Sequence, residues 1–180
     1  LLISDEGTDS GVIEQLADGV LSRGAIPIIA TVPAPRIPGA EPPSAVAAAL
    51  LSVGAAIELT SLFIASSRAR QAATEAGVRY LAMPGVTVDT FRSGGPLTVD
   101  FDTQRHVAKA VGDAWSNGRR FHLTSSAGTD LRGSIDGRPG RVLDGIARED
   151  GQYMAPPDIE AGTAPVEGTV SGVAVIDADL

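Results

Sequence analysis

The chain has 180 residues, 43% of them hydrophobic, a net charge of −8 and no cysteine, which is enough for one good core, or one core and part of another. The charge excludes a nucleic-acid surface, because counterion release needs clustered Lys and Arg and Arg119-Arg120 is the one adjacent basic pair. The missing cysteines exclude disulfides, thiolate metal sites and a cysteine nucleophile, and no apolar run reaches the roughly 20 residues that cross a bilayer.

From Leu1 to about Thr124 strand and helix signals alternate, which predicts an α/β fold: an open, mostly parallel twisted sheet with flanking helices. Leu1 to Ser4 reads as a first strand, and the polar Asp5-Asp9 loop leads into a helix from about Ser10 to Arg23. That helix carries Val12, Ile13, Leu16, Val20 and Leu21 on one face and is closed by Gly24. A second strand spans Ile26 to Thr31, followed by a loop with five prolines between Pro33 and Pro43. Ser44 is placed to cap a helix from Ala45 to about Val53. A third strand covers Ala55 to Leu59, a helix follows Ser67 as far as Ala76, and Val78 to Met83 forms a fourth strand.

A short helix is expected between Thr87 and Gly94, then a long amphipathic one from Asp102 or Thr103. Its Val107, Ala110, Val111, Ala114 and Trp115 fall on one face and predict the buried side. Phe121 to Thr124 is expected as a fifth strand of the same sheet. After Ser125 short strands and glycine turns dominate, so the boundary is placed there: residues 1–125 form the α/β domain, and residues 126–180 open a mixed α+β domain. Both termini read as cut through strands, so the expectation is a fragment.

The first strand-helix turn, Asp5 to Gly11, lacks G-x-G-x-x-G spacing, and its three carboxylates would repel a pyrophosphate. His106 has no ligand partner at helical spacing, and His122 has no neighbouring His or Asp in sequence, so both read as structural. Ser125-Ser126-Ala127-Gly128 is no G-x-S-x-G elbow. Gly128-Thr129-Asp130-Leu131 reads as a glycine turn whose Asp130 caps local backbone donors. Its functional reading is a ligand loop at the carboxyl end of a sheet strand.

The C-terminal stretch is more specific. Pro157, Glu160, Ala164-Pro165, Glu167-Gly168 and Gly172 to Asp177 follow the order P-x-G-E, A-P, E-G and G-x-V-x-x-D, although Ile159 stands where the first glycine is usual and Ala174 where the valine is. With Ser67 to Ala72, Gly77 to Arg79, Met83-Pro84-Gly85, Gly128 to Leu131 and Gly137-Arg138, the arrangement resembles the thermophilic metallo-aminopeptidases, typified by aminopeptidase T, and more closely the related 2,5-dihydroxypyridine 5,6-dioxygenase-like group.

The resemblance implies a cytoplasmic metalloenzyme, free to be a homo-oligomer, acting on a small molecule or short peptide, with no nucleic-acid or membrane partner. It would use Fe(II) if a ring-cleaving dioxygenase, and Zn, Co or Mn if an aminopeptidase. Glu160 would be its first metal ligand. Gly128, Thr129, Asp130 and Glu167 are candidate loop or substrate contacts, with Glu167 bonded to backbone N–H groups. One carboxylate cannot hold a catalytic metal, so the remaining ligands are expected beyond Leu180 and the segment alone is expected to be inactive. A non-catalytic α/β binding module is the alternative.

Overall fold

A computed structural model of the chain describes residues 1–176. In chain order the elements are β1 (Leu2–Ser4), α1 (Ser10–Ser22), β2 (Ile29–Thr31), α2 (Ser44–Leu50), β3 (Ala55–Glu58), α3 (Arg68–Glu75) and β4 (Arg79–Ala82). Two 3-10 turns follow at Val88–Phe91 and Pro96–Thr98, then α4 (Phe101–Asn117), β5 (Arg120–Thr124), β6 (Asp130–Ser134), β7 (Arg141–Leu143), β8 (Tyr153–Met154), β9 (Glu160–Gly162) and β10 (Ser171–Val173). Two compact units are interleaved along the chain rather than divided at one position. The first is Leu1–Phe101 with Leu143–Asp158, the second Asp102–Val142 with Ile159–Leu180. No described helix is long and apolar enough to cross a membrane.

The first unit is the expected parallel sheet, in the order β2-β1-β3-β4-β8. Both faces are covered, as parallel sheets require. Alternate residues of β3 and β4 point to opposite faces, so Ala56, Tyr80 and Ala82 join one cluster with Ile3, Val46, Leu50 and Ala73, under α2 and α3. Ile57 and Leu81 pack with Val12, Leu59, Met83 and Val86 on the other, against Ile13 and Leu16 of α1. Asp9 caps α1 by accepting from Gly11 N, and Gly24 beyond its end takes φ 75°. Ser67 caps α3, while both oxygens of Glu41 accept from its first amides, Arg68 N at 2.7 Å and Ala69 N at 3.2 Å. α2 begins at Ser44 itself, so Ser44 is not its cap. Pro43 takes the cap position without a side-chain bond, and its fixed φ suits a helix entrance.

The sheet departs from expectation at its fifth strand. β5 does not join it but pairs antiparallel with β6, His122 opposite Arg132, in a separate sheet ordered β10-β6-β5. The reason is the connection: Ser125 to Thr129 is a tight turn, closed by Gly128 N donating to Ser125 O and Ser125 N donating to Thr129 O, both 3.1 Å. So short a link allows only antiparallel neighbours, because a parallel pair needs a crossover of about a dozen residues or more. The fifth place goes to β8, whose Tyr153 stands beside Tyr80.

In the second unit α4 buries Ala108 and Gly112, while Val107 and Val111 are 59% and 43% exposed. The apolar face expected from periodicity is therefore not the buried one. A Cβ on Gly112 would lie 2.4 Å from Val142, and one on Gly140 would lie 2.0 Å from Gly112 O. Close backbone approach through small residues sets this contact, and larger side chains would hold the segments apart.

Candidate functional site

The strand order turns at β1: β2 lies on one side and β3 on the other. The carboxyl ends of β1 and β3, at this switch point, are where open α/β sheets place ligands. Asp5, next after β1, is 3% exposed. Its Oδ2 accepts from Ser61 N and Ser61 Oγ, each at 2.7 Å, and its Oδ1 accepts from Gly7 N at 2.9 Å. Thr8 Oγ1 donates to Leu59 O and accepts from Asp5 N, both 2.9 Å, so the two loops are stitched together. Burial pushes the Asp5 carboxyl up, but the donors from Ser61, Gly7 and Thr8 together outweigh it and hold it below the usual carboxylate range. Glu6 accepts from Ala34 N at 2.9 Å, and Asp9 accepts from Gly11 N at 2.9 Å and Val88 N at 3.3 Å. The chain's own carboxylates thus take backbone donors that a bound phosphate would need.

Glu58, at the end of β3, is a fully buried carboxyl. Ile64 N donates to its Oε1 at 2.6 Å and Tyr80 Oη to its Oε2 at 2.7 Å, with Thr60 Oγ1 at 3.3 Å. Burial raises the Glu58 carboxyl above its ordinary value, against the lowering by Tyr80, Ile64, Thr60 and the Arg70 charge. Tyr80 is pushed up by burial first and by the Glu58 charge second. The Arg70 guanidinium sits 5.0 Å from the Tyr153 ring centroid and donates to Ala65 O at 2.5 Å. This network ties the loop after β3, which carries Ser61, to β4 and α3.

The residues singled out from sequence lie in the second unit, in separate places. Glu160 begins β9 and lines an open concavity of about 350 Å³ with Arg138, Arg141, Thr163 and Ala164. Glu167 is exposed and ion-paired with Arg138. Its carboxyl is held below the usual range by its own backbone N–H first and by Arg138 next. Gly128 takes φ 107° inside the β5-β6 turn, so the loop lies in an antiparallel hairpin and not at an edge of the parallel sheet. Thr129 Oγ1 accepts from Val175 N at 3.1 Å.

Asp130 does not cap backbone donors. Its Oδ1 stands 2.9 Å from His122 Nε2 and 3.3 Å from Arg132 Nε. Sequence spacing hid this cluster, because His122 and Asp130 are eight residues apart and meet only across the hairpin. Reading the turn at 125–129 as a hairpin would have exposed it, by placing His122 opposite Arg132. Asp177 lies outside the described residues.

Among the described residues no three His, Cys, Asp or Glu side chains come together to hold a metal ion. Glu160 lines its concavity beside Arg141 and Arg138, and Arg138 is ion-paired with Glu167. This set does not fit a metal centre by itself.

Residues 35–179 match the family described as NicX, 2,5-dihydroxypyridine 5,6-dioxygenase. The fold is similar to the solved structure of 2,5-dihydroxypyridine dioxygenase from Pseudomonas putida KT2440, with a TM-score of 0.77 at 18% identity. That match covers 95% of this chain and 51% of the other, so the chain spans about half the length of that protein. No curated protein matches the chain.

Proposed function

The chain belongs to the 2,5-dihydroxypyridine 5,6-dioxygenase family, and on that premise we propose that it forms part of an enzyme that opens a dihydroxylated pyridine, or a similar aromatic ring, with dioxygen. The observation that carries the reading is the family match across residues 35–179, and the shared fold agrees with it. The substrate is then a small aromatic molecule. Hydrolysis of an N-terminal residue, the other chemistry implied by the sequence resemblance, has neither support: the matched family and the matched fold are both a dioxygenase's.

A metal such as Fe(II) enters this reading through the family, while the described residues supply no complete set of ligands. What the chain's own residues contribute is a rigid frame. The Asp5-Ser61 and Glu58-Tyr80 bonds lock the loops at the carboxyl ends of β1 and β3, and the acidic turn around Asp5, Glu6 and Asp9 disfavours nucleotide phosphates. An oxygen electrode tests the proposal. Full-length protein loaded with Fe(II) is expected to consume dioxygen when 2,5-dihydroxypyridine is added and to leave a chromogenic leucyl substrate intact. Leucyl hydrolysis without oxygen uptake overturns it.

A further inference from the structure

We propose that one face of the β10-β6-β5 sheet is a binding site for a small metabolite bearing an oxyanion, a carboxylate or a phosphate group. Residues directly opposite in an antiparallel pair point to the same face. The register sets Arg120 opposite Ser134, His122 opposite Arg132, and Ser171 opposite Arg132 on the other side. Arg120, His122, Arg132, Ser134 and Ser171 therefore share a face, where with Thr169 they line a shallow concavity of about 610 Å³. That space is larger than a bare inorganic ion needs.

Arg120 and Arg132 are like charges on adjacent strands of one face and repel one another. Asp130 answers part of that repulsion. Its Oδ1 takes His122 Nε2 at 2.9 Å and Arg132 Nε at 3.3 Å, fixing the imidazole and the guanidinium in place. Arg132 meets Asp130 through Nε, and neither its terminal nitrogens nor the Arg120 guanidinium has a partner among the described residues; both residues line the concavity. Two guanidiniums against one carboxylate leave a local positive excess in a protein of net charge −8.

The hydroxyls of Ser134 and Thr169 are occupied by backbone partners, Arg119 O at 3.3 Å and Val166 O at 2.7 Å, and hold the rim. Ser171 adds a further donor. Planar guanidinium forks match the paired oxygens of carboxylate and phosphate. The acidity of the whole chain disfavours a nucleic acid as the source of that phosphate.

The inference is independent of the dioxygenase reading and is tested by calorimetric titration of the intact protein at low salt with succinate and with inorganic phosphate. Saturable binding is expected, weakened about tenfold or more by Arg132→Gln and by Arg120→Gln, and unchanged by Arg92→Gln, whose exposed guanidinium pairs with Asp89 elsewhere. Arg132→Lys is expected to recover only part of the binding, since a point charge lacks the fork. Stronger binding of succinate assigns the site to carboxylates, and stronger binding of phosphate to phosphate esters. No saturable binding of either probe, or equal binding by all four variants with unchanged melting, overturns the proposal.

Discussion

Replacing Tyr80 by Phe removes one oxygen from the interior while keeping the ring against Tyr153, 6.3 Å away between centroids. The lost bond is the 2.7 Å donation to Glu58 Oε2, in a place where neither residue is exposed. A bond to a charged acceptor is worth about 1.5–3 kcal/mol, so at a pH where Glu58 is ionised the variant is expected to melt roughly 5 °C lower. The pH dependence is the sharper test. Burial raises the Glu58 carboxyl in the folded protein, so its contribution is full below the unfolded carboxyl's pKa and is lost as pH rises through the folded one.

Without the Tyr80 hydroxyl the ionised form loses a donor and the folded value moves higher still. The deficit of Tyr80→Phe should therefore be larger at about pH 8 than at about pH 4.5. Glu58→Gln, which cannot ionise, should flatten the fall in stability toward alkaline pH and shrink the effect of a second Tyr80→Phe change. Thermal melts of the four proteins across that range provide the measurement. A Tyr80→Phe deficit that is the same at every pH, or that grows toward acid, would refute the assignment of Glu58 as the group whose charge the hydroxyl supports.

Three further outcomes follow from the geometry. Asp5→Asn should cost about 1–3 kcal/mol at neutral pH, because the amide cannot accept every donor that now converges on the carboxylate. Since the folded Asp5 is depressed, its stabilisation is present above the unfolded value and lost as pH falls, so urea midpoints of the two proteins should converge below about pH 4; parallel curves would contradict this. Gly151→Ala should destabilise by about 1–3 kcal/mol, because Gly151 has φ 76° and a Cβ there would lie 2.6 Å from Thr74 O; a melt unchanged from wild type would mean that the turn before β8 lies farther from the end of α3 than described. Glu160→Gln in the full-length protein tests the ligand role that the family resemblance implies: loss of a true ligand or its support costs about 10–100-fold in metal affinity, and measured iron is expected to fall accordingly. Iron content equal to wild type would remove Glu160 from the metal site.

Where the local pattern and the burial agree, the elements were legible in the sequence. The helix from Ser10, ended at Gly24, and the strands carrying Ile3, Ile57 and Leu81 follow from apolar spacing and a glycine stop, both properties of adjacent residues. The acidic turn at Asp5 to Asp9 already argued against a nucleotide, and the structure supplies the reason in the amides those carboxylates occupy. Periodicity failed on α4. Val107 and Val111 make the more apolar stripe, yet Ala108 and Gly112 are buried, because close backbone approach rewards small size over hydrophobicity.

The sequence by itself therefore determined the α/β class, the covered parallel sheet, the family resemblance and the absence of cysteine chemistry. Tertiary structure alone decided which strands are neighbours. It sent β5 to β6 and gave the fifth place in the parallel sheet to β8, some seventy residues after β4. It also brought His122 to Asp130 and Arg132, Tyr80 to Glu58, and Arg138 to Glu167. The physical reason is the same in each case: a side chain's charge, partners and accessibility depend on what the chain brings back from far away, which no local spacing encodes.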